Sequence, residues 1–204
     1  MRELAALAPV IPVLVIEDAA RARPLVEALV AGGLPVLEVT LRTPAAPEVI
    51  REMSRVPGAI VGAGTVITPA DVRIAQAAGA RFAVSPGATD ALLDACEAAG
   101  LPLLPGAATA SEAMALLARG YDMLKFFPAE AVGGAAALAA LGAPLPQISF
   151  CPTGGVSPAN APDYLALPTV PCVGGSWVAP KPQVAAGDWD AIRALAEHAR
   201  TLVP

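Results

Sequence analysis

Short β-branched runs alternate with Ala/Leu/Glu/Arg stretches at helical spacing along the whole chain, and this alternation limits the fold more than any other feature. The expected strands are Pro12–Ile16, Val36–Leu41, Ala59–Ala63, Phe82–Ser85, Pro102–Leu104, Met123–Phe126, Gln147–Cys151 and Pro171–Gly174. The expected helices are Ala19–Ala31, Pro47–Arg55, Pro69–Ala78, Asp90–Ala99, Ser111–Ala118, Gly134–Leu141, Pro158–Leu165 and Asp188–Leu202. Thr68-Pro69 and Ser157-Pro158 read as N-caps with first-turn prolines, and Gly32, Gly79, Gly100 and Gly120 as C-caps. Eight strand–helix units of about 20–25 residues predict a single-domain (β/α)8 TIM barrel over residues 1–204. An open doubly wound sheet shares the alternation; the count of eight and the lack of a linker favour the barrel.

Composition narrows the partners. The chain is 55% hydrophobic, in line with strands buried on both faces. A net charge of −5 argues against nucleic acid, which needs a basic face, but leaves room for one small phosphate in a local pocket. Cys96, Cys151 and Cys172 form no C-x-x-C pair, so neither a disulfide framework nor a zinc site is expected, and reduced thiols fit a cytoplasmic protein. The apolar stretch from Leu4 to Ile16 is interrupted by prolines and is read as leading into a first strand. The stretch from Ala131 to Pro162 carries no charge either, but Gly133, Gly134, Pro144, Pro146 and the Gly154–Gly155 pair break it, so no membrane anchor is expected.

Polar residues gather at the expected strands' C-terminal ends, where barrels of this kind carry their chemistry. The chain has two lysines. Lys125 lies in Met123-Leu124-Lys125-Phe126-Phe127-Pro128, where burial penalises an ammonium and favours a neutral amine able to attack a carbonyl. A lysine snorkelling to the rim would have the same sequence. Lys181, between two prolines, reads as a solvated loop residue. Period two places Glu38, Thr40 and Arg42 on one strand face and Leu37, Val39 and Leu41 on the other. Glu38 is thus a candidate general base and Arg42 a candidate carboxylate clamp, unless the two form a structural ion pair.

The one histidine, His198, falls in the last expected helix, and no ligand cluster at metal spacing is visible. No metal and no cofactor are therefore expected. Two glycine turns, Thr153-Gly154-Gly155-Val156 and Gly174-Gly175-Ser176-Trp177, present backbone N–H groups after the seventh and eighth strands, the usual phosphate cradle of such barrels. Glycines also serve ordinary tight turns. Gly62-Ala63-Gly64-Thr65-Val66-Ile67 lacks the third glycine of a dinucleotide fingerprint.

At these residues the sequence resembles the 2-keto-3-deoxy-6-phosphogluconate (KDPG) aldolase family, whose members often also cleave 4-hydroxy-2-oxoglutarate (KHG). The resemblance is carried by Leu37-Glu38-Val39-Thr40-Leu41-Arg42-Thr43, Val61-Gly62-Ala63-Gly64-Thr65-Val66, Val84-Ser85-Pro86-Gly87, Lys125-Phe126-Phe127-Pro128-Ala129-Glu130, Phe150-Cys151-Pro152-Thr153-Gly154-Gly155 and Gly174-Gly175-Ser176-Trp177. It implies Lys125 as the Schiff-base lysine and Glu38 as the proton-transfer carboxylate. It further implies Arg42 and Thr65 on the pyruvyl carboxylate, Pro86 on the pocket wall, and Thr153 at the substrate hydroxyl. Gly154, Gly155, Gly175 and Ser176 would surround a phosphate. The implied ligands are a phosphorylated 2-keto-3-deoxy sugar acid and pyruvate, and the implied assembly is a homotrimer.

One position departs from the family pattern: where a basic residue can follow the first strand, this chain has Glu17 and Asp18, with Arg21 or Arg23 as possible substitutes. Two rival readings remain at this stage. One is the related aldolase for the galactonate-derived C4 epimer, and the other is a non-catalytic phosphosugar-binding barrel, which has no need for an apolar lysine opposite an inward carboxylate.

Overall fold

Strands rich in apolar residues on both faces are stable in a parallel ladder only when both faces are covered, and every strand pairing in this protein is parallel. The computed structural model describes residues 1–202. The strands are β1 (Val10–Leu14), β2 (Val36–Thr40), β3 (Ile60–Gly64), β4 (Ala83–Val84), β5 (Leu103–Leu104), β6 (Gly106–Ala107), β7 (Met123–Phe126), β8 (Ser149–Pro152) and β9 (Val173–Gly175). The helices are α1 (Arg2–Ala5), α2 (Ala22–Ala31), α3 (Ala46–Met53), α4 (Pro69–Ala77), α5 (Asp90–Ala99), α6 (Ala110–Ala118), α7 (Gly134–Gly142), α8 (Ala161–Leu165), α9 (Lys181–Ala186) and α10 (Trp189–Arg200).

The strands form two sheets rather than one unbroken eight-stranded ladder. A six-stranded sheet runs β5-β4-β3-β2-β1-β9, and a three-stranded sheet runs β6-β7-β8. The division falls at Pro105, which separates β5 from β6 and has no N–H to offer a ladder. Its carbonyl still accepts from the Lys125 amide at 2.9 Å. At the other edge, Thr153 and Gly174 form an isolated parallel bridge between the ends of β8 and β9.

Period-two alternation sorts the strand side chains into two apolar clusters. The larger one includes Leu37, Val39, Leu124, Phe126 and Phe150, packed with helix residues such as Leu25, Leu29, Ile50 and Ile192. The smaller one gathers Ile11, Val36, Phe82, Val84, Leu104, Met123, Cys151 and Cys172, with Ala5 of α1. Glu38 follows Val36 by two residues and Lys125 follows Met123 by two, so each polar side chain continues the smaller cluster's face toward the strand C-terminus.

Helix ends follow local chemistry where a side chain can reach the backbone. Thr68 caps α4 in a reciprocal box with Asp71, as Thr68-Pro69 implies. Ser157-Pro158 does not begin α8. The Ser157 amide donates instead to Asn160 Oδ1 at 2.7 Å, and the helix starts only at Ala161. The first expected helix opens with a separate 3-10 turn at Ala19–Arg21. Two short helices, α1 and α9, fall outside the expected set. Arg2 of α1 donates to Asp122 and to the Gln147 carbonyl, which holds that helix beside the smaller cluster.

Candidate functional site

Glu38 and Lys125 are the only charged residues buried among those described. Their side chains are 4% and 6% exposed, with Lys125 Nζ 3.4 Å from Glu38 Oε1. Lys125 is therefore not enclosed by apolar atoms alone, as its sequence context implies, but has a carboxylate within hydrogen-bond reach. Its ammonium also lies 5.2 Å from the centroid of the Phe127 ring. Space for the carboxylate comes from Gly64 on the neighbouring strand. A Cβ there would fall 2.6 Å from Glu38 Cγ and 2.7 Å from Cδ, so no larger residue fits without moving Glu38.

A cavity of about 670 Å³ opens beside the pair, lined by Lys125 but not by Glu38, which lies behind it. Arg42, Thr65, Pro86, Lys125, Thr153, Gly154, Gly155 and Ser176, all singled out from sequence, line it. The Glu38–Arg42 ion pair that sequence leaves open does not form. Glu38 pairs with Lys125, while Arg42 Nε donates to Thr65 Oγ1 at 3.3 Å. Thr65 holds its side chain there from a left-handed backbone, φ 58°, which is rare for a β-branched residue and disfavoured by roughly 1–3 kcal/mol. Thr40, on the same strand face as Glu38, donates to the Leu14 carbonyl at 3.0 Å and ties β2 to β1.

The two glycine turns behave differently. The Gly154–Gly155 turn is braced from behind: the Ala129 and Glu130 amides donate to the Thr153 and Gly154 carbonyls at 2.8 and 3.0 Å. Glu130 also accepts from the Tyr164 hydroxyl, whose ionisation is pushed well up, first by burial and then by that bond. A Cβ at Gly155 would meet Glu130 Cγ at 2.6 Å, so a substitution there strikes the brace. Gly175 does not line the cavity. The Trp177 ring fills the space a Cβ on Gly175 would need, which lets Trp177 and Ser176 face the cavity instead. Gly174 in turn leaves room for the Thr153 side chain, which is 7% exposed.

Sequence reasoning missed Phe127, Trp177 and Lys181, all cavity-lining. Phe127 stood inside a quoted motif with no role, and Trp177 counted only with Ser176 as a mark of the gluconate-type enzyme. Lys181 is solvated as read, its side chain 75% exposed, but it opens α9 rather than lying in a loop, and it lines the cavity. Arg21 and Arg23 do not line it. Among the described residues, no three His, Cys, Asp or Glu side chains group as metal ligands. Cys96, Cys151 and Cys172 are buried and free, and no described helix is long and apolar enough to cross a membrane.

A parallel α/β scaffold with a lysine amine on a cavity wall and a buried carboxylate 3.4 Å from it suits an enzyme that works on carbonyl substrates. Comparison with known proteins makes the class specific. A family model for KDPG and KHG aldolase matches residues 1–195, and the chain belongs to that family. A 2-dehydro-3-deoxy-phosphogluconate aldolase of Pseudoalteromonas atlantica is 55% identical over 192 residues, 94% of this chain and 89% of that protein. The KDPG aldolase of Zymomonas mobilis, solved with 3-phosphoglycerate, superposes with a TM-score of 0.92 at 53% identity, covering 98% of this chain and 95% of that one. The Legionella pneumophila enzyme, solved with pyruvate captured as a covalent carbinolamine, gives 0.93 at 48% identity, covering 97% of each chain.

Proposed function

We propose that this protein is a metal-independent Schiff-base aldolase that cleaves KDPG to pyruvate and glyceraldehyde 3-phosphate, and KHG to pyruvate and glyoxylate. The buried Lys125–Glu38 pair is the observation that carries this reading. Lys125 Nζ adds to the C2 ketone and water leaves, giving an iminium that draws electrons from the C3–C4 bond. Glu38, acting through a water, takes the C4 hydroxyl proton as that bond breaks. The aldehyde leaves, the enamine is reprotonated at C3, and water releases pyruvate from the lysine.

Arg42 and Thr65 would bind the substrate carboxylate, with Pro86 against its chain. Thr153 would meet the C4 hydroxyl, and Gly154, Gly155 and Ser176 would receive the phosphate, with Gly175 shaping the turn. The likeness to KDPG aldolases favours the gluconate-type substrate over its C4 epimer, and a buried amine beside a carboxylate favours an enzyme over a silent binder. The whole chain would act as one domain. Its two sheets would be arcs of one closed (β/α)8 barrel, because Glu38 and Lys125 meet from the middle strands of opposite sheets and a single proline separates β5 from β6. A cytoplasmic homotrimer fits the family resemblance, with the exposed apolar side chains of Ile67, Ile74 and Met114 available for subunit contacts.

Borohydride reduction in the presence of pyruvate is the test. A stable adduct is expected on Lys125, with Lys181 spared, and Lys125→Met should abolish both trapping and turnover. Turnover should survive exhaustive EDTA. Adduct on Lys181 alone, or activity that returns only with zinc or magnesium, refutes the mechanism.

A further inference from the structure

The chain carries two acidic residues, Glu17 and Asp18, just after β1, so the positive charge that would meet a phosphate must come from elsewhere. Neither arginine nearby supplies it. Arg23 Nε pairs with Glu27 at 3.2 Å and lines neither cavity. Arg21 faces Asp18 at 3.7 Å and lines an adjoining cavity of about 300 Å³, but not the main one.

Lys181 lines both cavities. Of the three cations on the main cavity wall, Arg42 is engaged with Thr65 and Lys125 with Glu38. Lys181 is the remaining one, five residues beyond Ser176 at the first position of α9, and it shares the wall with Gly154, Gly155 and Ser176. Its recorded partner is Glu17, at 3.5 Å, with both side chains 75% exposed. A pair so open to water is held weakly and screened by salt. A dianionic group entering the cavity would attract the ammonium more strongly than one carboxylate does.

We propose that Lys181 is the phosphate-recognising cation of this aldolase site, held at the cavity mouth by Glu17 until a phosphorylated substrate draws it away. The long, flexible stem suits this role, because the ammonium can move between two anions with little backbone change. Glu17 then acts against phosphate binding twice, as a competitor for Lys181 and as a repelling charge. The inference rests on the aldolase reading for the substrate, but the phosphate contact can be tested without it.

The experiment compares wild type, Lys181→Ala, Lys181→Arg and Glu17→Gln at low and high salt. KM and kcat are measured on KDPG and on its dephospho analogue, and binding of inorganic phosphate is measured by titration calorimetry. Lys181→Ala should raise KM for KDPG about tenfold, the scale of one charge-assisted contact at a partly wet site, with a much smaller change on the dephospho analogue. Lys181→Arg should restore most of that loss. Glu17→Gln should lower KM for KDPG about two- to fivefold, an advantage that salt erodes. Phosphate affinity should follow the same order. Equal effects of Lys181→Ala on both substrates, or none on either, would overturn the proposal, as would a Glu17→Gln variant that binds phosphate less well than wild type. Wild type that binds phosphate through Lys181 but fails to trap pyruvate would instead refute the aldolase reading alone.

Discussion

Gly64→Ala probes the spacing of the Lys125–Glu38 pair, proposed above as catalytic, without removing either group. The added Cβ would lie 2.7 Å from Glu38 Cδ, where ordinary contact begins at 3.4 Å, so the carboxylate must retreat by about 0.7 Å. Its oxygen, which lies nearer the new methyl, must move further. Glu38 is 3% exposed, so it cannot escape by swinging into solvent. Any such shift changes its separation from Lys125 Nζ, which is 3.4 Å before the substitution. Misplacement on the order of 1 Å lowers rates by about 100-fold, equivalent to about 2.7 kcal/mol. The same overpacking should destabilise the fold by about 1–3 kcal/mol. The assays are turnover of KDPG, borohydride trapping with pyruvate, and thermal melting. Turnover should fall by about two orders of magnitude while the protein stays folded at 25 °C and Lys125 still traps pyruvate, more slowly. A Gly64→Ala enzyme with wild-type turnover would show that the position of Glu38 does not govern the reaction.

Three further outcomes follow from particular contacts. Glu38→Gln should retain the covalent pyruvate adduct but slow cleavage by about 100-fold, the scale of a lost general base, and a near-normal rate would make Glu38 structural. Thr65→Gly should relieve its left-handed backbone, so Tm should change little, within about 3 °C, while KM for substrate rises; a large fall in Tm would show that Thr65 serves the fold instead. Glu112 is held below its usual range chiefly by the Ala108 amide, which outweighs the opposing effect of burial, with lesser help from the Thr109 hydroxyl and amide. Its depressed ionisation adds stability above the ordinary value of 4.5 and loses it as pH falls through the folded value, so Glu112→Ala should lower Tm by a few degrees at pH 7 and by less at pH 3. An equal penalty at both pH values would refute that assignment.

The inward placement of Glu38 was legible in the sequence, because strand alternation is a local property of consecutive residues, whereas the apolar context of Lys125 left burial and snorkelling to the rim both open. The Thr68 cap was legible for the same reason, since its partner Asp71 is three residues away. Family motifs located Arg42, Thr65, Pro86, Thr153 and Ser176, and the fold brings those residues to one cavity. What tertiary structure alone decided depends on contacts between distant residues. The partner of Glu38 is Lys125, 87 positions away, and not the nearby Arg42. Gly64 reads as a turn or motif glycine until the carboxylate occupying its missing side chain is seen. The role of Pro105 in ending one sheet and beginning another depends on which strands flank it. Lys181, set between prolines like any loop cation, reaches the cavity only because the chain after β9 folds over its mouth beside Glu17. Local periodicity determines which way a side chain points, but the groups it then meets are set by how elements far apart in the chain pack together.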